Sequence, residues 1–240
     1  MADLIDINTL FGPLPTSSSD LSVEDLLALM QKHQVTRACT MSTLGSLFDS
    51  SIGNAATRAA CSEHNELIAA ATLNPRSFMG DTEQIGALPE AGYKIVRFFP
   101  DEQQWPIDYA PFRALLRVLV ESKLPIMIRV EKLGEITGLM RALELYEAPV
   151  ILESVDIPLL SEAVAALHSN KHWCLETSNL LATGAIQLVA ETVGAERVLF
   201  GTSAPFHPIA GVLNMIRLAG FNDTETEQVL SGNARRILKV

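Results

Sequence analysis

Cysteine and histidine are scarce in this chain: three cysteines, Cys39, Cys61 and Cys174, and five histidines in 240 residues. An odd number of widely spaced cysteines with no C-x-x-C pair excludes a disulfide framework and a thiolate zinc site, and points to a reducing cytoplasm. No apolar run approaches the roughly 20 residues a bilayer requires, and the first ten residues lack a basic and then apolar leader. A soluble, unprocessed protein is expected, with no membrane partner. Basic side chains are outnumbered 18 to 28 by acidic ones, for a net charge of −10. That balance excludes the electrostatic footprint of a nucleic-acid binder. Only 19% of residues are charged while 48% are hydrophobic, which excludes a disordered chain and supports a large core.

What is present is a strict alternation of short apolar runs with longer amphipathic ones, uninterrupted by linker, charge block or repeat. The reading is one domain over residues 1–240. Strand-like runs cover 4–7, 35–42, 67–73, 93–99, 125–130, 150–154, 173–177 and 197–201. Helix-like segments cover 55–64, 82–88, 112–122, 133–146, 159–168, 185–193 and 209–218. Ser22 is placed to cap a helix whose Val23, Leu26, Leu27 and Met30 share one face. A last helix is expected from Thr224, with Thr224 and Glu227 as a capping box. Eight alternating β and α units predict a (β/α)8 barrel with an extra C-terminal helix. The competing open doubly wound sheet lacks its usual phosphate-binding glycine motifs here.

In such a barrel the working face lies at the C-terminal ends of the strands. The residues where each run turns polar include Asp6, Asn8, Arg97, Arg129, Glu153, Glu176, Ser178, Ser203 and His207. Arginines inside strand runs must be paired, and Glu153, Glu176 and Asp6 are the expected partners. Two readings stay open: a closed salt-bridge network, or one guanidinium free to grip a carboxylate through its planar fork. His33, His64 and His168 fall near helix C-termini, where they complement the dipole. His172 precedes the seventh strand, at the opposite mouth, which leaves His207 as the histidine placed for acid–base work. Trp105, Phe98, Phe99 and Phe206 are expected to flank the mouth.

These strand ends also carry a family resemblance. Asp6-Ile-Asn-Thr-Leu-Phe-Gly12 resembles the D-x-H-x-H-x-G opening of amidohydrolase-related metal-dependent hydrolases, and Leu199-Phe-Gly-Thr-Ser-Ala-Pro-Phe206 resembles their L-F-G-S-D-x-P-F close. Val229-Leu-Ser-Gly-Asn-Ala-Arg-Arg-Ile-Leu238 is similar to their I-L-x-x-N-A-x-R-L-L ending, and Asn74-Pro75, the 92–100 segment and Leu175-Glu-Thr-Ser178 fit between in order. The resemblance implies an amidohydrolase-like barrel, whose active members hydrolyse amides, esters or lactones or decarboxylate small acids, usually with one divalent metal.

The resemblance also places Asn8 and Leu10 where the family has its first-strand histidines. Arg129 falls on the fifth-strand histidine, Ser154 or Glu153 on the sixth, and Ser203 on the final aspartate. Leucine cannot coordinate and a guanidinium repels a cation, so no metal and no other cofactor is expected. A displaced metal site from Asp6, Glu153, Glu176 and His207, and a serine arrangement of Ser203, His207 and Glu176, are weaker alternatives. The expected function is a barrel that has lost its metal site and binds a small anionic carboxylate. Asn8, Arg97, Arg129, Glu176, Ser178 and Ser203 would line the site. The alternative is a metal-independent hydrolase, lactonase or decarboxylase in which Asp6, Glu153 and His207 are catalytic. A homodimer, or a subunit paired with an active relative, is compatible with the sequence.

Overall fold

The computed structural model describes residues 3–14, 20–80 and 82–240. Eight parallel strands lie side by side in chain order: β1 (Ile5–Phe11), β2 (Arg37–Ser42), β3 (Leu67–Thr72), β4 (Ile95–Phe98), β5 (Ile126–Arg129), β6 (Val150–Glu153), β7 (Trp173–Glu176) and β8 (Val198–Leu199). The first strand meets the end of the last through Ile7 N donating to Phe200 O (2.9 Å) and Leu10 N donating to Ala204 O (2.8 Å). The sheet thereby closes into the barrel that the alternation predicts.

Side chains alternate between the two faces of a strand, so each β run serves two cores. Ile5, Ile7, Cys39, Met41, Ile68, Ala70, Ile95, Met127, Ile151, Cys174 and Leu199 fill the barrel interior. The other phase, with Ala38, Ala69, Val96, Ile128, Leu152 and Leu175, packs against the surrounding helices. Helix Ala110–Ser122 shows the complementary pattern, with Phe112, Leu115, Leu116 and Leu119 buried on one face. Each such side chain contributes about 1.5–3 kcal/mol by leaving water. Ala234, Ile237 and Leu238 of the last helix, Asn233–Leu238, join the interior cluster and close its base. Asn233 ties that helix to the sheet, its Nδ2 donating to the carbonyls of Ala195 and Val198 at 2.8 Å each.

Strand β1 departs from simple alternation. Its pairing with β2 shifts register between Asp6 and Thr9, so Ile5, Ile7 and Leu10 all belong to the interior although seven and ten differ by an odd step. This bulge turns Asn8 toward the barrel axis. β1 runs to Phe11 rather than ending at Ile7.

Ser22 caps helix Val23–His33 as the sequence indicates, accepting from Asp25 N while Asp25 reaches back to the Ser22 backbone. At the other end the expected capping box is corrected. Asn222 and Glu225 form it, so the helix starts with Asp223. Asn222, two residues ahead, supplies the same side-chain acceptor, and Thr224 lies already inside the first turn. The expected helix 133–146 is shorter, Glu135–Ala142, and a short helix, Leu44–Leu47, forms in a segment read as a connection. Gly53 of helix Ser50–Glu63 lets the two meet, since a Cβ there would lie 2.1 Å from Gly45 N.

Candidate functional site

Two residues beyond the apolar inward positions, the same pleat phase delivers charge. Ile95 leads to Arg97, Met127 to Arg129, Ile151 to Glu153 and Cys174 to Glu176. Arg97 and Glu153 are fully buried and paired at 2.9 Å. Arg97 also donates to Asn8 Oδ1 (2.7 Å) and to Thr9 O (3.2 Å). Arg129 lies one layer further out and shares the same Glu153 oxygen, with its Nε at 3.1 Å and Nη2 at 2.9 Å. The Phe99 ring stands between the guanidiniums, its centroid 5.1 Å from Arg97 and 5.5 Å from Arg129. Burial pushes the Glu153 carboxyl up, but the two guanidiniums outweigh it and hold it below the usual carboxylate range.

The second partner of Arg129 is Glu102, whose Oε1 accepts from Nη1 at 2.6 Å. This corrects the expected pairing, because neither Asp6 nor Glu176 bonds an arginine. Glu102 was not among the residues singled out from sequence, since it stands three positions past the strand run, in the turn after Pro100. Its signal is the acidic pair Asp101-Glu102 directly following an arginine-bearing strand. The turn is held firmly: Gln103 N donates to Phe99 O (2.9 Å), Trp105 N to Pro100 O (2.9 Å) and Arg76 Nη1 to Gln103 O (3.2 Å). Trp105 is buried against Phe98 and Phe112, so it anchors this turn rather than flanking the mouth. Phe206, after β8, is half exposed and does not join this cluster.

Asp6 and Glu176 are sealed beneath the array and occupied by donors. Asp6 accepts from Asn8 N (3.0 Å), Thr202 N (3.1 Å) and Thr202 Oγ1 (2.5 Å). Burial pushes its carboxyl up to about 7 against those hydrogen bonds. Glu176 accepts from Ser154 N (2.9 Å), Ser178 N (2.8 Å) and Ser178 Oγ (2.7 Å), and burial followed by the Glu153 charge raises it as well. Gly201 makes room for it, since a Cβ there would meet Glu176 Oε2 at 2.4 Å. Ser154 and Ser203, at the ends of β6 and β8, both adopt left-handed backbone (φ 67° and 53°), a conformation that costs a non-glycine residue free energy and concentrates at working sites. Ser203 Oγ lies 3.4 Å from Arg129 Nη2. His207 bonds the Ser178 backbone, and burial together with the Arg129 charge holds its imidazole below the ordinary histidine value. The structure thus brings Asn8, Arg97, Arg129, Glu153 and Ser203 into one network. His207 sits at its edge, and Asp6, Glu176 and Ser178 form a supporting layer.

Buried polar atoms without a partner gather here. Asn8 Nδ2, Arg97 Nε, Glu102 Oε2, Glu153 Oε2 and His207 Nδ1 have none, leaving only Thr40 and Gln103 on the same footing elsewhere among the described residues. Such groups are normally satisfied, and each left bare costs about 1–3 kcal/mol. The larger surface cavities lie to the side. One of about 720 Å³ runs along helix Ser50–Glu63, and one of about 700 Å³ lies outside the Pro100–Asp108 turn.

The family profile described as amidohydrolase matches residues 12–240. The chain belongs to the amidohydrolase family. Among solved structures this chain is similar to 2,6-dihydroxybenzoate decarboxylase from Rhizobium, at 15% identity, TM-score 0.77, covering 100% of this chain and 99% of that one. It is similar to a dihydroxybenzoic acid decarboxylase from a Polaromonas species with bound manganese and 2-nitroresorcinol, at 14% identity, TM-score 0.80, covering 100% and 97%. A probable 2-pyrone-4,6-dicarboxylic acid hydrolase from Acinetobacter baumannii, with citric acid bound, is similar at 13% identity, TM-score 0.78, covering 99% and 100%. At these identities the likeness is one of fold. Among curated proteins, none matches the sequence.

Manganese in one neighbour raises the question of whether this mouth suits a cation. Its central donors already carry cationic partners. The central carboxylate is enclosed by two guanidiniums, and Asn8 Oδ1 is taken by one of them. Among the described residues, no group of three or more His, Cys, Asp or Glu side chains stands where it could hold a metal ion. No helix of the described residues is long and apolar enough to cross a membrane.

Proposed function

We propose that this amidohydrolase-family barrel binds a small hydroxylated carboxylic acid at its mouth, without a divalent ion. The observation that carries the reading is the set of buried, unpartnered polar atoms on Asn8, Arg97, Glu102, Glu153 and His207. Asn8 Nδ2 and Arg97 Nε are donors that a carboxylate or carbonyl oxygen would satisfy. Glu153 Oε2 is an acceptor that calls for a hydroxyl on the same molecule. A ligand with both functions answers the deficit that the chain itself leaves, and 2,6-dihydroxybenzoate, named with a structural neighbour, is a compound of that kind. Arg97 and Arg129 supply the positive field that a metal would supply in metal-bearing relatives. Asp6, Glu176 and Ser178 hold the strand ends in place, because the two carboxylates already accept from backbone and hydroxyl donors, the amide and hydroxyl of Ser178 among them.

A second reading, turnover of the bound acid, is favoured by His207. Its imidazole is held below its ordinary value and is therefore neutral at pH 7, able to accept a proton at the edge of the site. Here Glu153, pinned by two guanidiniums, orients rather than transfers protons.

The test is titration calorimetry of metal-stripped protein with 2,6-dihydroxybenzoate, followed by assay of the same mixture for released carbon dioxide. Binding that is lost in Arg129→Met supports the proposal. Binding that appears only after stoichiometric manganese is added would overturn it. Carbon dioxide release abolished by His207→Asn would establish the second reading.

A further inference from the structure

Resting on that reading, we propose that Glu102 occupies the place of the ligand's carboxylate against Arg129, so that binding exchanges one carboxylate for another. Charge supplies the first argument. Arg97, Arg129, Glu153 and Glu102 form an array of two cations and two anions joined by contacts of 2.6–2.9 Å. The formal charges cancel. A carboxylate entering beside Glu102 would leave the mouth with excess negative charge where water is largely excluded. An entering carboxylate that displaces Glu102 keeps the sum at zero.

The geometry of the two acids supplies the second argument. Glu153 has no exposed side-chain surface and contacts both arginines, so it cannot leave without stranding the fully buried Arg97. Glu102 is on the solvent side with 23% of its side chain exposed, and the Nη1 contact is the hydrogen bond it makes with Arg129. Its second oxygen is buried and has no partner. Water therefore receives a released Glu102 more readily than the mouth retains it.

The third argument is that only the side chain has to move. The surrounding turn stays fastened by Gln103 N to Phe99 O, by Arg76 to Gln103 O and by the buried Trp105. Rotation about side-chain bonds clears Arg129 without a lid, toward the solvent that already reaches part of the Glu102 side chain. The exchange makes Glu102 a specificity-determining residue. A monocarboxylate replaces it charge for charge, a neutral amide leaves Arg129 uncompensated, and a second carboxylate on the ligand adds unbalanced charge beside Glu153.

Two measurements test this. The first compares the Kd of 2,6-dihydroxybenzoate for the native protein, Glu102→Gln and Glu131→Gln. Glu131 is a neighbouring acid whose carboxyl does not bond Arg129, and it controls for general charge. The expected result is at least tenfold tighter binding by Glu102→Gln and no more than a twofold change in Glu131→Gln. The second follows Tm in acetate against chloride at equal ionic strength. Acetate should raise the Tm of Glu102→Ala by several degrees and leave the native protein unmoved, because the variant offers Arg129 an empty carboxylate place. Equal Kd values for the native protein and Glu102→Gln, with no acetate effect, would overturn the exchange and leave carboxylate binding standing. Acetate rescue with no dihydroxybenzoate bound by either protein would keep the stand-in role and overturn the functional reading. No dihydroxybenzoate bound by either protein, together with no acetate effect, removes both.

Discussion

Arg97 and Arg129 bond the same oxygen of Glu153, at 2.9 Å from each, while its other oxygen has no partner. One carboxylate thus compensates two guanidiniums, which makes the three side chains unequal in what their removal costs. Truncating Glu153 strands the fully buried Arg97 and leaves Arg129 with Glu102 alone, and Glu153→Ala should lose about 3–5 kcal/mol in urea unfolding. Arg129→Met leaves Arg97 and Glu153 paired and should lose less than half as much. Similar losses for the two variants would show that the pairing is not shared in solution.

The same carboxylate gives the protein an acid-sensitive element. Glu153 titrates below its usual 4.5 in the fold. Its contribution is therefore complete above that value and disappears as pH falls through the depressed one. Asp6 acts in the opposite sense. Raised from 3.8 to about 7, it binds a proton more tightly folded than unfolded, so stability declines as pH rises across that interval. Asp6→Asn keeps an oxygen for the Asn8 and Thr202 amides and an amide group for the Thr202 hydroxyl. It should flatten the fall in Tm between pH 4 and pH 7, at a gain on the order of a few kcal/mol at neutral pH. An unchanged slope would count against Asp6 as its source.

Burial and then the Arg129 charge hold His207 low. Removing the charge in Arg129→Met should move the imidazole titration upward toward 6.5, read by NMR of the ring protons. A midpoint that does not move would mean that burial alone sets it.

Gly201→Ala would bring a methyl group to 2.4 Å from Glu176 Oε2 and 3.2 Å from the Asn8 Cβ. Glu176 is fixed by Ser154 and Ser178 and has nowhere to retreat, so overpacking of about 1–3 kcal/mol is expected. Thermal unfolding measures it directly, and a native-like Tm would show that the carboxylate relaxes.

Chelation provides a separate check on the chemistry. Dialysis against EDTA should leave both Tm and dihydroxybenzoate binding unchanged. A loss of either that manganese restores would place an ion at the mouth and overturn the metal-free reading.

The barrel was legible because period-two apolar runs and amphipathic helices are local signals, and the strand ends could be read directly from where Ile95 gives way to Arg97 and Ile151 to Glu153. Pairing was less legible. Glu153 was among the expected partners, but Asp6 and Glu176 were not distinguishable from it in sequence. Their difference arises from which backbone amides and hydroxyls the neighbouring strands bring to them, as Thr202 does for Asp6. Glu102 was missed because a turn residue owes its position to the anchoring of Trp105 and Arg76, contacts that span the chain rather than follow a period. Whether the site acts without metal was inferred from residue types, and the enclosure of Glu153 adds a geometric reason for the same proposal.

The bulge in β1 divides that strand into two phases, one matched to the barrel interior at Ile5 and Ile7 and one that presents Asn8 and Leu10 at the mouth. Deleting a single residue there would restore plain alternation. With Thr9 removed, Leu10 would follow Ile7 at a spacing of two and keep facing the axis, and Asn8 would turn to the helical layer, away from Arg97. What lines this side of the site is accordingly governed by the length of the strand as much as by its composition, so an insertion or deletion here would rewrite the mouth while leaving every other strand untouched.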